Sequence, residues 1–107
     1  MRIPYPARVA TVAVIGSGAV GGYYGGRLAL AGHDVRFLVR SEYEAWRTNG
    51  LRVFSKDGDF HLREVQCFRD PREMGPADWV ICALKATAIG EAAELIAPCA
   101  GPGTRIV

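Results

Sequence analysis

Residues 9–15, VATVAVI, carry no charge and are rich in β-branched side chains, the pattern of a short parallel strand buried on both faces. Behind it, residues 19–31 hold two rows at helical spacing. Val20, Tyr24 and Leu28 recur every four positions, and Gly21, Gly25 and Ala29 form a neighbouring row, which predicts a helix with one very small face. Gly32 is placed to end it. Residues 34–39, DVRFLV, read as a second strand, and Ser41 with Glu44 has the S-x-x-E spacing of a capping box that would open a short helix through Arg47.

Residues 51–55 and 60–65 alternate apolar and polar positions around Asp57-Gly58, a turn pair that favours a two-stranded hairpin flanking or extending the sheet. After residues 65–68, Asp70-Pro71 predicts a short helical turn. Residues 79–84, WVICAL, read as another buried strand. Thr87 is a candidate cap for a helix whose apolar face is Ile89, Ala92, Ala93 and Ile96, with Pro98 as its stop. Residues 104–107, TRIV, open one more strand. Strands alternating with helices predict an α/β fold, a doubly wound and mostly parallel sheet with helices on both faces, plus the small hairpin. Such sheets bind ligands beyond the carboxyl ends of their strands.

The chemistry concentrates in GSGAVGGYYGG, residues 16–26, which hold six of the thirteen glycines. A helix-interior glycine costs about 1 kcal/mol against alanine, so this density needs a reason. Gly16, Gly18 and Gly21 form a G-x-G-x-x-G between a predicted buried strand and a predicted helix, the context that the Rossmann dinucleotide fingerprint requires. Gly16 would make the tight turn, Gly18 would admit the pyrophosphate to the backbone, and Gly21 would let the helix press on the strand. The first-turn N–H groups would then face the phosphates. Gly25 extends the close contact by one turn, while Gly22 and Gly26 have no role in this reading.

NAD-binding versions place an acid about twenty residues on, where it accepts from the ribose 2′-OH. Here the second strand ends in Arg40, whose forked donors suit the 2′-phosphate of NADP, so NADPH is expected over NADH. The nearby acids Glu42 and Glu44 fall in the first turn of the next helix, where they serve its N-terminus.

Composition narrows the alternatives. At 107 residues, half of them hydrophobic, the chain is the size of one folding unit. Its net charge of +2 is interleaved along the sequence, which argues against a nucleic-acid surface. Cys67, Cys82 and Cys99 are odd in number and scattered, so neither a disulfide framework nor a zinc site is indicated and a reducing, cytoplasmic setting fits. No apolar run is long enough to span a bilayer, and MRIPYPAR lacks the form of a secretory signal. His33 and His61 read as turn and hairpin histidines, Cys82 as a buried small residue, and Trp46 and Trp79 as packing aromatics. No metal-ligand spacing and no Ser/His/Asp arrangement is found.

With GSGAVGGYYGGRLALAGHDVRFLVR followed by NGLRV and WVICALKA, the chain resembles the N-terminal part of the ketopantoate reductase (2-dehydropantoate 2-reductase) family over about residues 9–107. The resemblance implies an NADP-binding Rossmann domain at 9–107 behind an extension at 1–8. It implies reduction of a 2-keto acid such as 2-dehydropantoate by NADPH, on the route to pantothenate and coenzyme A. Position by position it places Gly16, Ser17, Gly18, Ala19, Val20 and Gly21 at the pyrophosphate, Arg40 at the 2′-phosphate and Lys85 beside the cofactor. The family's catalytic lysine, substrate groups and an asparagine belong to later segments, chiefly a helical C-terminal domain. No catalytic residue is therefore expected within 1–107, and this stretch alone is expected to be inactive. The uncovered sheet should expose apolar surface, which leaves self-association into a homo-oligomer open. A stand-alone NAD(P)-binding regulatory module and a related β-hydroxyacid dehydrogenase are the competing readings.

Overall fold

The computed structural model describes residues 9–16, 19–84 and 90–107. Five parallel strands form the main sheet: β1 (Thr11–Ile15), β2 (Asp34–Leu38), β5 (Gln66–Phe68), β6 (Ala77–Cys82) and β7 (Ala100–Ile106), in the spatial order β5-β2-β1-β6-β7. The chain runs outward from β1 through β2 to β5, then crosses to the other side of β1 for β6 and β7. That reversal of direction lies between β1 and β6, where sheets of this kind open a crevice at their carboxyl edge. The pairs Ile15↔Leu38 and Ile15↔Cys82 show β1, β2 and β6 ending level with one another.

Alternate residues of β1 supply two apolar layers. Val12 and Val14 join Val35, Phe37, Val39 and Leu51 on one face, while Ala13 and Ile15 join Leu38, Met74, Val80, Leu95 and Cys99 on the other. Every residue of β1 after Thr11 is buried, as its charge-free sequence predicts. Helix α1 (Ala19–Leu30) covers the first face and α3 (Ala92–Ile96) contributes Leu95 to the second. Gly32, at φ +99°, ends α1 as expected, with Gly32 N–H donating to Ala29 O and His33 N–H to Leu28 O, the paired bonds of a left-handed C-cap.

The small antiparallel pair β3 (Leu51–Val53) and β4 (Phe60–Leu62) forms around Asp57-Gly58, as predicted, and flanks the main sheet rather than extending it. Asp70 caps the predicted turn at Pro71–Glu73 by accepting from Arg72 N–H at 2.9 Å. Four expectations need correction. The strand expected at 79–84 runs over Ala77–Cys82, and its Trp79 is 37% exposed, lining a surface cleft with the Arg105 guanidinium 5.4 Å from its ring centroid. Cys82 is half-buried and lines a surface cleft. The strand expected at 104–107 already begins at Ala100, because Gly101 N–H and Ala77 O both bond the Thr104 hydroxyl across the Gly-Pro-Gly segment.

The capping box does not form. Helix α2 (Tyr43–Asn49) starts after Glu42, the Ser41 hydroxyl donates to the Glu42 carboxylate, and Glu44 turns outward to Arg69 at 2.9 Å. The expected Thr87 cap and Ile89 lie outside the described residues.

Candidate functional site at the carboxyl edge of the sheet

Gly16 leaves β1 at φ +108°, a conformation that L side chains rarely adopt. A methyl group there would also fall 2.8 Å from the Ala83 carbonyl oxygen, so the turn is seated directly against the chain leaving β6. Gly21 meets this turn from the helix side, where a Cβ would lie 2.7 Å from Gly16 O and 3.0 Å from Ala83 Cβ. The first turn of α1 is thus brought as close to the ends of β1 and β6 as a backbone allows. One turn on, a Cβ at Gly25 would lie 2.6 Å from the Phe37 ring.

The buried face of α1 is the small-residue row, and it includes the two glycines left without a role by the sequence: Gly22 beside Leu51 and Trp46, and Gly26 beneath Phe60 of the hairpin. The apolar row faces elsewhere. Val20 is 62% and Tyr24 56% exposed, and with Leu28 they line an open cleft of 630 Å³ whose other walls include Trp79, Ile81 and Val107. The close helix–strand contact expected of Gly21 and Gly25 is therefore present, and it leaves the apolar row Val20, Tyr24 and Leu28 to the side. The glycines face the sheet because only a side-chain-free surface fits against Val14 and Phe37.

Of the eight residues expected to bind the cofactor, the structure brings Gly16 and Gly21 together at the end of β1. Ala19 opens α1 and Val20 follows it on the exposed side. Arg40 lies two residues past β2 at the same carboxyl edge, with its Nη1 3.3 Å from the Glu91 carboxylate. Ser17, Gly18 and Lys85 lie outside the described residues. Of the acids that could compete for a ribose, Glu44 bonds Arg69, whose guanidinium also sits 4.2 Å over the Tyr43 ring. The sequence reading missed Glu91. Its separation from Arg40 by 51 positions leaves no local signal.

The two histidines hold structure. His33 Nδ1 accepts from Ala10 N–H at 3.2 Å, and His61 Nε2 lies 2.8 Å from Asn49 O. Cys67, Cys82 and Cys99 are free thiols, and burial pushes the Cys67 and Cys99 thiols up from their ordinary pKa. At the opposite, amino edge, Asp34 accepts from Gln66 and from Arg36, whose other amine donates to Met74 O. These bonds, the Gln66 bond foremost, hold the Asp34 carboxyl below its ordinary value of 3.8. Among the described residues, no cluster of His, Cys, Asp and Glu could hold a metal ion, and no helix is long and apolar enough to cross a membrane.

The strand order, the level strand ends and the glycine-seated first helix define a Rossmann-type α/β unit. The family model for ketopantoate reductase PanE/ApbA matches residues 12–107, and the chain belongs to that family. It is 51% identical over 75 residues to a 2-dehydropantoate 2-reductase of Nostoc sp. (strain PCC 7120), covering 70% of this chain and 24% of that protein. It is 37% identical over 98 residues to a 2-dehydropantoate 2-reductase of Mesorhizobium japonicum, covering 90% and 30%. The crystal structure of 2-dehydropantoate 2-reductase from Geobacter metallireducens GS-15 superposes with a TM-score of 0.86 at 48% identity, over 90% of this chain and 32% of that one. The chain therefore spans about a quarter to a third of the length of these relatives.

Proposed function

We propose that residues 9–107 are the NADPH-binding part of an oxidoreductase that reduces a 2-keto acid, with 2-dehydropantoate as its substrate. The observation that carries this reading is the seating of Gly21 against Gly16 at the end of β1, with Arg40 at the same edge. A dinucleotide needs that cradle: a tight turn, a backbone bare enough for phosphate approach, and a helix N-terminus behind it. The residues fit the group. The backbone from Gly16 to Gly21 would hold the pyrophosphate, Arg40 would pair with the 2′-phosphate, and Lys85 would stand beside the cofactor as a second cation.

The bound cofactor supplies a hydride for the keto carbon, while the protein supplies position and charge. The glycine face of α1 fixes where the helix N-terminus points, and so where the pyrophosphate sits. Arg40 distinguishes a phosphate dianion from a hydroxyl, because its guanidinium donates two parallel bonds and carries a full charge. No group within residues 9–107 is assigned to proton delivery or substrate recognition. The reducing cytoplasm is the compartment we propose, on the odd and scattered cysteine count.

The test is turnover by the gene product as expressed, followed by loss of the reduced nicotinamide absorbance with 2-dehydropantoate present. Oxidation of NADPH that depends on the keto acid supports the reading. Cofactor binding without turnover of any 2-keto acid would instead favour a regulatory NAD(P)-binding module.

A further inference from the structure

We propose that Glu91 is a specificity-determining residue, a built-in counter-ion that competes with the cofactor's 2′-phosphate for Arg40. The inference rests on the assignment of Arg40 to that phosphate. Arg40 belongs to the connection leaving β2, and Glu91 immediately precedes α3 on the connection leaving β6. These two strands flank β1 on either side. The ion pair, at 3.3 Å, therefore joins the two connections that border the carboxyl end of β1, where the Gly16 turn lies.

The pair acts on the two cofactors in opposite senses. A 2′-phosphate dianion must take Arg40 Nη1 from Glu91, and it arrives beside a carboxylate of its own sign. A ribose 2′-hydroxyl carries no charge and can donate to that carboxylate, the role an acid plays in NAD-binding sites. Glu91 thus lowers the affinity for the phosphorylated cofactor and leaves the other untouched or slightly favoured. Both side chains are more than half exposed, at 60% and 57%, so solvent weakens the competition. An exposed pair of this kind corresponds to about a two- to fivefold change in affinity.

The experiment is calorimetric titration of the expressed gene product with 2′,5′-ADP and with 5′-AMP, two probes that differ only in the 2′-phosphate. It is run on wild type, Glu91→Gln, Glu91→Lys and Arg40→Ala. We expect Glu91→Gln to tighten 2′,5′-ADP about two- to fivefold, Glu91→Lys to tighten it further, and 5′-AMP to stay unchanged or weaken slightly in both. The gain from Glu91→Lys should shrink as salt is raised. A merely structural role for Glu91 beside α3 would shift both probes together, and that result would overturn the proposal. Unchanged 2′,5′-ADP affinity in both Glu91 variants, with wild type still preferring it over 5′-AMP and Arg40→Ala losing the preference, would overturn the Glu91 role alone. A wild type that does not distinguish the two probes would remove Arg40 from the phosphate site, and Glu91 with it.

Discussion

Replacing Gly25 with alanine should destabilise the protein although alanine is the better helix former, and Gly22→Ala in the same helix should do the reverse. Both substitutions gain about 1 kcal/mol of intrinsic helix preference. At Gly22 the new methyl meets Leu51 Cδ1 at 3.8 Å and Trp46 Cη2 at 3.9 Å, which is ordinary contact. At Gly25 it falls 2.6 and 2.9 Å from the Phe37 ring and 3.0 Å from Val14 Cγ2. The ring has no room to retreat, being 1% exposed and edge-on to Trp46 at a centroid distance of 5.3 Å. Overpacking of this kind costs about 1–3 kcal/mol. The helix contribution cancels between the two variants, so the gap between them is that overpacking cost. With a urea dependence of about 1–1.5 kcal/mol per molar for a unit of this size, the midpoints should differ by about 0.7–3 M, Gly22→Ala above wild type and Gly25→Ala at or below it. Tryptophan fluorescence reports the transition, since Trp46 leaves Phe37 on unfolding. If Gly25→Ala stabilises as much as Gly22→Ala, α1 does not lie on Phe37 as described and the packing argument for the glycine row fails.

Three further outcomes follow from the same geometry. Gly21→Ala introduces about 1–3 kcal/mol of strain against Gly16 O and Ala83; titration should show NADPH and NADH weakened together, unlike Arg40→Ala, which weakens NADPH alone. The Asp34 carboxyl, held below 3.8, contributes stability that is present above about pH 4 and lost as pH falls through its folded value. Asp34→Asn should therefore lower stability at neutral pH and flatten the acid limb of a stability profile, and an acid limb as steep as wild type would contradict the bonding to Gln66 and Arg36. Cys99, fully buried with its thiol pushed up, should resist a thiol reagent at neutral pH in folded protein and react on unfolding; labelling as fast as that of a free thiol would place it at the surface.

The strands were the most legible part of the sequence, because VATVAVI is charge-free and buried beyond Thr11, and DVRFLV concentrates Val35, Phe37, Leu38 and Val39 inside while Asp34 and Arg36 stay part-buried. The hairpin was equally plain, since Asp57-Gly58 supplies a turn with Gly58 at φ +121°. Errors arose where a long-range partner outweighed a local preference. The S-x-x-E spacing at Ser41 and Glu44 predicts a box, but Arg69, 25 residues from Glu44, holds the carboxylate instead. The glycine face of α1 was legible through the fingerprint, which sets Gly21 and Gly25 against the sheet, but the burial of Gly22 and Gly26 was not, because it depends on Leu51, Trp46 and Phe60 from later segments. At the candidate site, Gly16, Gly21 and Arg40 were readable because fingerprint, strand and helix coincide in one segment. Glu91 was not, because its meaning depends on the crossover that returns the chain to the far side of β1.

The most direct measurement is calorimetric titration of the expressed gene product with NADPH and NADH, repeated on Arg40→Ala. The account predicts tighter binding of NADPH in wild type, a loss of about ten- to hundredfold for NADPH in the variant, the range of a hydrogen-bonded charge, and an unchanged affinity for NADH. Equal affinities for the two cofactors in wild type, or a preference for NADPH that survives the loss of Arg40, would contradict it.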